Sequence, residues 1–161
     1  GARRLEPDAY SNDQVDFNKV ISLPAFKKGI NRISEGLNKD LIIAIMCTEK
    51  DPLNCHRFHL VTKEIKKQLG VDFFHIDFEG NYETDSQLEE RMKCSLNISP
   101  TFDIITKVHD DVVAAISNGC SNKSVEELTK DMLNEFIINE AYSIYAKRVA
   151  YTKDSGELSF D

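Results

Sequence analysis

Apolar residues recur along this chain in two kinds of pattern. Phe26, Ile30, Ile33 and Leu37 fall at i, i+4, i+7 and i+11, which predicts one apolar stripe on a helix over 23–37. Ser22 can cap that helix, and Pro24 sits in its first turn, where a missing N–H costs little. Leu41-Ile42-Ile43-Ala44-Ile45-Met46 is a run without alternation. Such a run suits a strand buried on both faces, as in a parallel sheet. Phe58, Val61, Ile65 and Leu69 then mark a helix over about 53–69, with Gly70 placed to end it. Val71 to Ile76 reads as a second strand. Strand, helix and strand in this space predict a βαβ unit with parallel strands and a right-handed crossover.

The remainder reads as helical. Gln87–Leu96 is a short helix. Ser99-Pro100 opens another, with Ile105, Val108, Val112 and Ile116 on one face and Gly119 as its stop. Ser124-Val-Glu-Glu127 is a capping-box pattern opening a helix to about 148, and the polar tail from Thr152 is expected to fray. The expected organisation is a single domain over 1–161: an irregular arm at 1–16, an α/β core at 17–80 and a mostly helical extension at 81–161. The fold class expected is α/β, a Rossmann-like three-layer βαβ core with an incomplete sheet. Two parallel strands do not make a normal sheet, because each needs partners and cover on both faces. The missing strands would come from the arm, from a partner, or from a longer chain.

Composition narrows the class. The chain has 161 residues, is 41% hydrophobic and 29% charged, and carries a net charge of −7. That is ordinary globular composition. Its acidity argues against non-specific grip on a phosphate backbone, so nucleic acid is not indicated. Nothing approaches the apolar length of a membrane span, and the first residues have no apolar h-region of a secretion signal. Four sparse cysteines do not make a disulfide scaffold. Reduced thiols and a cytoplasmic location are the expectation.

The stretch that carries chemistry is Met46-Cys-Thr-Glu-Lys-Asp-Pro-Leu-Asn-Cys-His-Arg-Phe-His59. Cys47 ends the first expected strand, and ligands of open α/β sheets bind at that edge. Cys55, His56 and Arg57 fall in the first turn of the next helix, where free N–H groups and the dipole favour a thiolate or an anion. His75 ends the second strand, so it is expected to reach the same crevice. Glu49 and Asp51 are close enough in sequence to orient a base or accept a proton.

This pattern resembles the DUF488 family of uncharacterised proteins. A strand ending in Cys47, a loop with Glu49 and Pro52, the Cys55-His56-Arg57 helix start and the later Phe73-Phe74-His75-Ile76 match its hallmark. The helix around Phe26–Leu37 and the closing Asn139–Tyr151 segment are also similar to it. Two strands that open the family's domain have no counterpart here, so the resemblance covers the later half of that domain. It implies a fold and a site but no reaction and no cofactor.

Two functional classes follow. In the first, a thiol enzyme, Cys47 or Cys55 is the nucleophile, His56 or His75 the base, Glu49 its supporting carboxylate and Arg57 the anion clamp, with Asp51 on the binding side. In the second, a non-catalytic domain, which could be one half of a larger assembly such as a homo-oligomer, holds a phosphate-containing, nucleotide or other anionic small molecule. Zinc is a third reading: Cys55 and His59 share a helix face, but Cys55 and His56 point about 100° apart, so Cys47, Cys55, His56 and His59 do not easily converge. A Cys47–Cys55 redox pair requires the loop to bring their Cα atoms within about 7 Å. Against each stands a bland alternative. Cys47 could be a small apolar strand residue, Arg57 a bridge to Glu49 or Asp51, and His75 a hydrogen-bonded core residue.

Overall fold

The computed structural model describes residues 6–150 and 152. They form two compact units, one of residues up to Leu88 together with those from Ile144, the other of Glu89–Ser143.

The first unit opens with a hairpin of β1 (Tyr10–Ser11) and β2 (Gln14–Val15). Asn12 and Asp13 both adopt positive φ, the requirement of a tight two-residue turn. Asp16 caps α1 (Phe17–Val20) by accepting from the Asn18 N–H, and it also accepts from the Ser11 hydroxyl. α2 spans Pro24–Leu37 with Pro24 opening it as expected. Its stripe is the inward one: Ile30 is buried and Phe26, Ile33 and Leu37 are half-buried. Ser22 does not cap it; its hydroxyl donates to the Asn18 carbonyl, and Leu23 takes the cap position.

The parallel βαβ core does not form. Residues 41–47 have no regular secondary structure, and Leu41, Ile42 and Met46 face solvent, Ile42 at 103% relative exposure. An apolar strand of this kind needs strands alongside it and cover on both faces, and among the described residues no strand pairs with it. The second expected strand shrinks to β3 (Phe74–Ile76), which pairs antiparallel with β4 (Tyr82–Thr84). The turn between them is written in the side chains. Asp77 accepts from the N–H groups of Glu79 and Asn81, and Gly80 takes φ +89°. Two small antiparallel sheets and an isolated Gln14–Thr152 bridge are therefore the β structure of the described residues, and the chain is mostly helical.

Between these lies the helix that carries the motif. It begins as a widened, π-helical stretch over Arg57–Thr62 and continues as α3 (Lys63–Leu69), ended by Gly70 at φ +65°. Inserting a wide turn shifts the helical phase by about one residue. Phe58 and Ile65 are buried as the stripe predicts, but so are His59, Leu60 and Thr62, while Leu69 is exposed. Leu60 packs with Ala9, Val15, Val20 and Ala150, flanked by Phe17, Phe26 and Val61. Apolar cover on several sides of one turn is what lets consecutive side chains be buried there.

α4 (Asp85–Leu96), α5 (Phe102–Ser117) and α6 (Val125–Val149) follow. In the second unit Met92, Val112 and Ala141 are fully buried, with Val108 and Tyr142 beside them in burial. Tyr142 donates to Glu89, and Lys93 donates to Asn134. The capping box of α6 is as expected: the Ser124 N–H donates to the Glu127 carboxylate, and the Glu127 N–H donates to the Ser124 hydroxyl. In the first unit the Gln14 amide donates to the Lys147 and Ala150 carbonyls at the end of α6. The tail expected to fray lies outside the described residues beyond Thr152.

Candidate functional site

The loop after Cys47 folds back on itself. Asp51 accepts from the Leu53 N–H and so caps a single 3₁₀ turn, Pro52–Asn54, whose Pro52 and Leu53 are buried. The turn delivers Cys55 in an extended conformation directly before the motif helix. The consequence is that the two motif cysteines meet. Their thiols influence each other's acidity directly, and neither is in a disulfide.

The two sulfurs sit in opposite environments. Cys55 is fully buried, and its sulfur accepts the Arg57 N–H at 3.3 Å. Burial pushes its thiol up to about 11, with the neighbouring Cys47 adding to the rise and the Arg57 N–H opposing it. Cys47 is half-buried. Burial raises its thiol, but the N–H groups of Glu49 and Thr48 and the Cys55 thiol together outweigh that, and the net shift is downward. Cys55 is thus the weaker acid of the pair and Cys47 the stronger. The helix-start argument favours Cys55 instead; it omits the cost of burying the charge.

His56 follows Cys55 in sequence and is half-buried, with its ring against Phe17 at 5.9 Å. Burial lowers its pKa, while a bond to the Val149 carbonyl and the charge of Glu49 work the other way. Glu49 itself is exposed. Its charge opposes the Cys47 thiolate, while its backbone N–H supports it.

Arg57 turns its guanidinium to two carbonyl oxygens, those of Ile45 at 3.5 Å and Ile76 at 3.4 Å. It tethers the irregular apolar segment to β3, so in this structure its head serves backbone oxygens rather than Glu49 or Asp51.

His75 occupies a different setting from the thiols' neighbours. Its Nε2 lies 2.7 Å from Asp85, and its ring meets Phe58 edge-on at 5.1 Å. Asp85 also accepts the Phe73 N–H at 2.9 Å, and Lys66 is 3.9 Å away. Both His75 and Asp85 are buried, so the pair ties β3 to the start of α4. The expectation that strand ends gather His75 with the cysteines rested on parallel strands that do not form.

Sequence reading considered His59 only as a zinc ligand sharing a helix face with Cys55. It is 3% exposed, stacks on Tyr145 at 5.1 Å and 12°, and bonds through Nε2 to the Leu53 carbonyl. Burial lowers its pKa to about 4, and it is therefore neutral at neutral pH. Its place four residues after Cys55 suggested a metal ligand; the structure makes it a buried core histidine instead. Among the described residues, no three His, Cys, Asp or Glu side chains stand as a metal-holding group.

The family model for DUF488, a domain of unknown function, matches residues 2–63. This bears out the resemblance drawn from the motif. The match contains Cys47, Glu49, Asp51, Cys55, His56 and Arg57, and it ends before His75. It assigns no activity. No curated protein and no solved structure matches the chain. Among the described residues, no helix is long and apolar enough to cross a membrane.

Proposed function

We propose that residues 46–59 form a thiol site in which Cys47 is the nucleophile. The observation that carries this reading is a pair of mutually interacting thiols whose acidities are pushed apart. A pair of titratable groups separated in this way divides into donor and nucleophile. Thr48 and Glu49 supply backbone N–H groups, Cys55 supplies its S–H, and Cys47 receives all three. Burial lowers the pKa of His56 and so favours its neutral form. The reaction class is attack of a thiolate on an electrophilic centre.

Timed iodoacetamide labelling of the native chain across pH, read by mass spectrometry of peptides, tests this. Cys47 should be labelled ahead of Cys94 and Cys120, although both of those are exposed, and its rate should reach a plateau below the ordinary thiol pKa of about 8.5. Cys55 should stay unlabelled until the chain unfolds. If Cys94 or Cys120 reacts first, or Cys47 is inert, the reading is wrong.

A further inference from the structure

We propose that Cys47 and Cys55 are a reversible redox couple, in which Cys47 takes the oxidising equivalent from a hydroperoxide and Cys55 resolves it as a disulfide. The inference rests on the thiol reading above and extends it to a second residue and a class of oxidant.

The geometry supports it in three ways. The loop folds back so that the two thiols act on each other, and a disulfide needs the loop to shift the sulfurs to about 2.05 Å. Cys47 lies in backbone without regular structure, which can make that shift, whereas Cys55 is held by the 3₁₀ turn on one side and the motif helix on the other. Cys55 is also fully buried, so an external reagent meets Cys47 first, and Cys55 is oxidised through Cys47.

The chemistry balances in two steps. The Cys47 thiolate attacks one oxygen of the hydroperoxide; the O–O bond breaks, the departing alkoxide or hydroxide takes a proton, and Cys47 becomes a sulfenic acid. The Cys55 sulfur then attacks the Cys47 sulfur. The S–S bond forms, the S–O bond breaks, and the leaving hydroxide takes the Cys55 proton as water. The Arg57 N–H on the Cys55 sulfur, at 3.3 Å, supports the charge that develops there. An external dithiol returns the couple to its reduced form by exchange.

The test treats the full chain with hydrogen peroxide, blocks free thiols and maps peptides. The expected product is an intrachain Cys47–Cys55 disulfide, lost on adding dithiothreitol. Cys47→Ser should form none. Cys55→Ala, which keeps a small apolar side chain in the buried site, should leave Cys47 as a sulfenic acid that dimedone traps. A dimedone adduct on Cys47 in the unmodified chain without the disulfide would overturn the couple. So would a disulfide to Cys94 or Cys120. Neither outcome touches the nucleophile reading, which falls separately if Cys47 is slow toward iodoacetamide. If Cys55→Ala fails to fold, the disulfide map of the unmodified chain decides alone.

Discussion

Replacing His59 by Phe should flatten the acid side of this protein's stability curve. His59 is buried, stacked on Tyr145, bonded to the Leu53 carbonyl, and shifted from an ordinary pKa of 6.5 down to about 4. Burial is the main cause, and the positive charge of Lys63 adds to it. The unfolded chain therefore binds a proton on this side chain at a pH where the folded chain does not. Stability from this source is complete above pH 6.5 and is lost as pH falls toward 4. Between about pH 7 and pH 4.5 the loss amounts to roughly 2 kcal/mol, from about 1.4 kcal/mol for each pKa unit.

Urea unfolding followed by circular dichroism over that range measures it. Carboxylates titrate in the same window, so the informative quantity is the difference between the unmodified chain and His59→Phe. The variant keeps a ring on Tyr145 but leaves the Leu53 carbonyl without its ring N–H, at a cost of about 1–2 kcal/mol near neutral pH. That deficit should shrink or reverse on acidification, because only the unmodified chain carries the His59 term. A stability difference that stays constant with pH would refute the assignment of His59 as a buried neutral histidine.

Asp85→Ala should lower stability by about 2–4 kcal/mol in urea titrations, since it removes the partner of buried His75 and the acceptor of the Phe73 N–H together. Asp85→Asn should cost less by keeping an acceptor. Arg57→Ala should speed amide exchange in residues 41–47 by removing the tether on the Ile45 carbonyl, at a cost of about 1 kcal/mol because both bonds are long and partly solvated. A phosphate-dependent rise in Tm that vanishes in the same variant would give the guanidinium an anion-holding role as well.

The helices were legible because their signals are local. The stripe of α2, the Ser124–Glu127 capping box and the Gly70 stop each need only residues within two turns of each other. The sheet was not legible, because strand pairing depends on what lies alongside. Leu41–Met46 has the composition of an interior parallel strand, yet composition cannot provide neighbours, and the segment is solvent-exposed. The signal for the hairpin that does form was present in Asp77-Phe-Glu-Gly-Asn81, flanked by short β-prone segments. A turn with Asp and Gly between strands competes directly with a parallel crossover, and here it wins because its hydrogen bonds close within five residues.

The same contrast between local and non-local physics explains why the motif cysteines exchange the roles that a helix start suggests. Sequence position puts Cys55 where the dipole and free N–H groups favour a thiolate. The wide turn over Arg57–Thr62 instead draws the beginning of the helix into the interior, and Cys55 goes in with Pro52, Leu53 and Phe58. Dipole stabilisation is typically 0.3–1 kcal/mol and reaches about 2 in partly buried sites, whereas desolvating a charge there costs several. Burial prevails, and Cys55 keeps its proton. Cys47 lies outside the helix but receives backbone N–H groups from the two residues that follow it and the S–H of Cys55, at only partial burial. Hydrogen bonds without full desolvation lower a thiol's pKa, and of the two motif cysteines it is Cys47, placed by sequence reasoning at a strand end, that is shifted down.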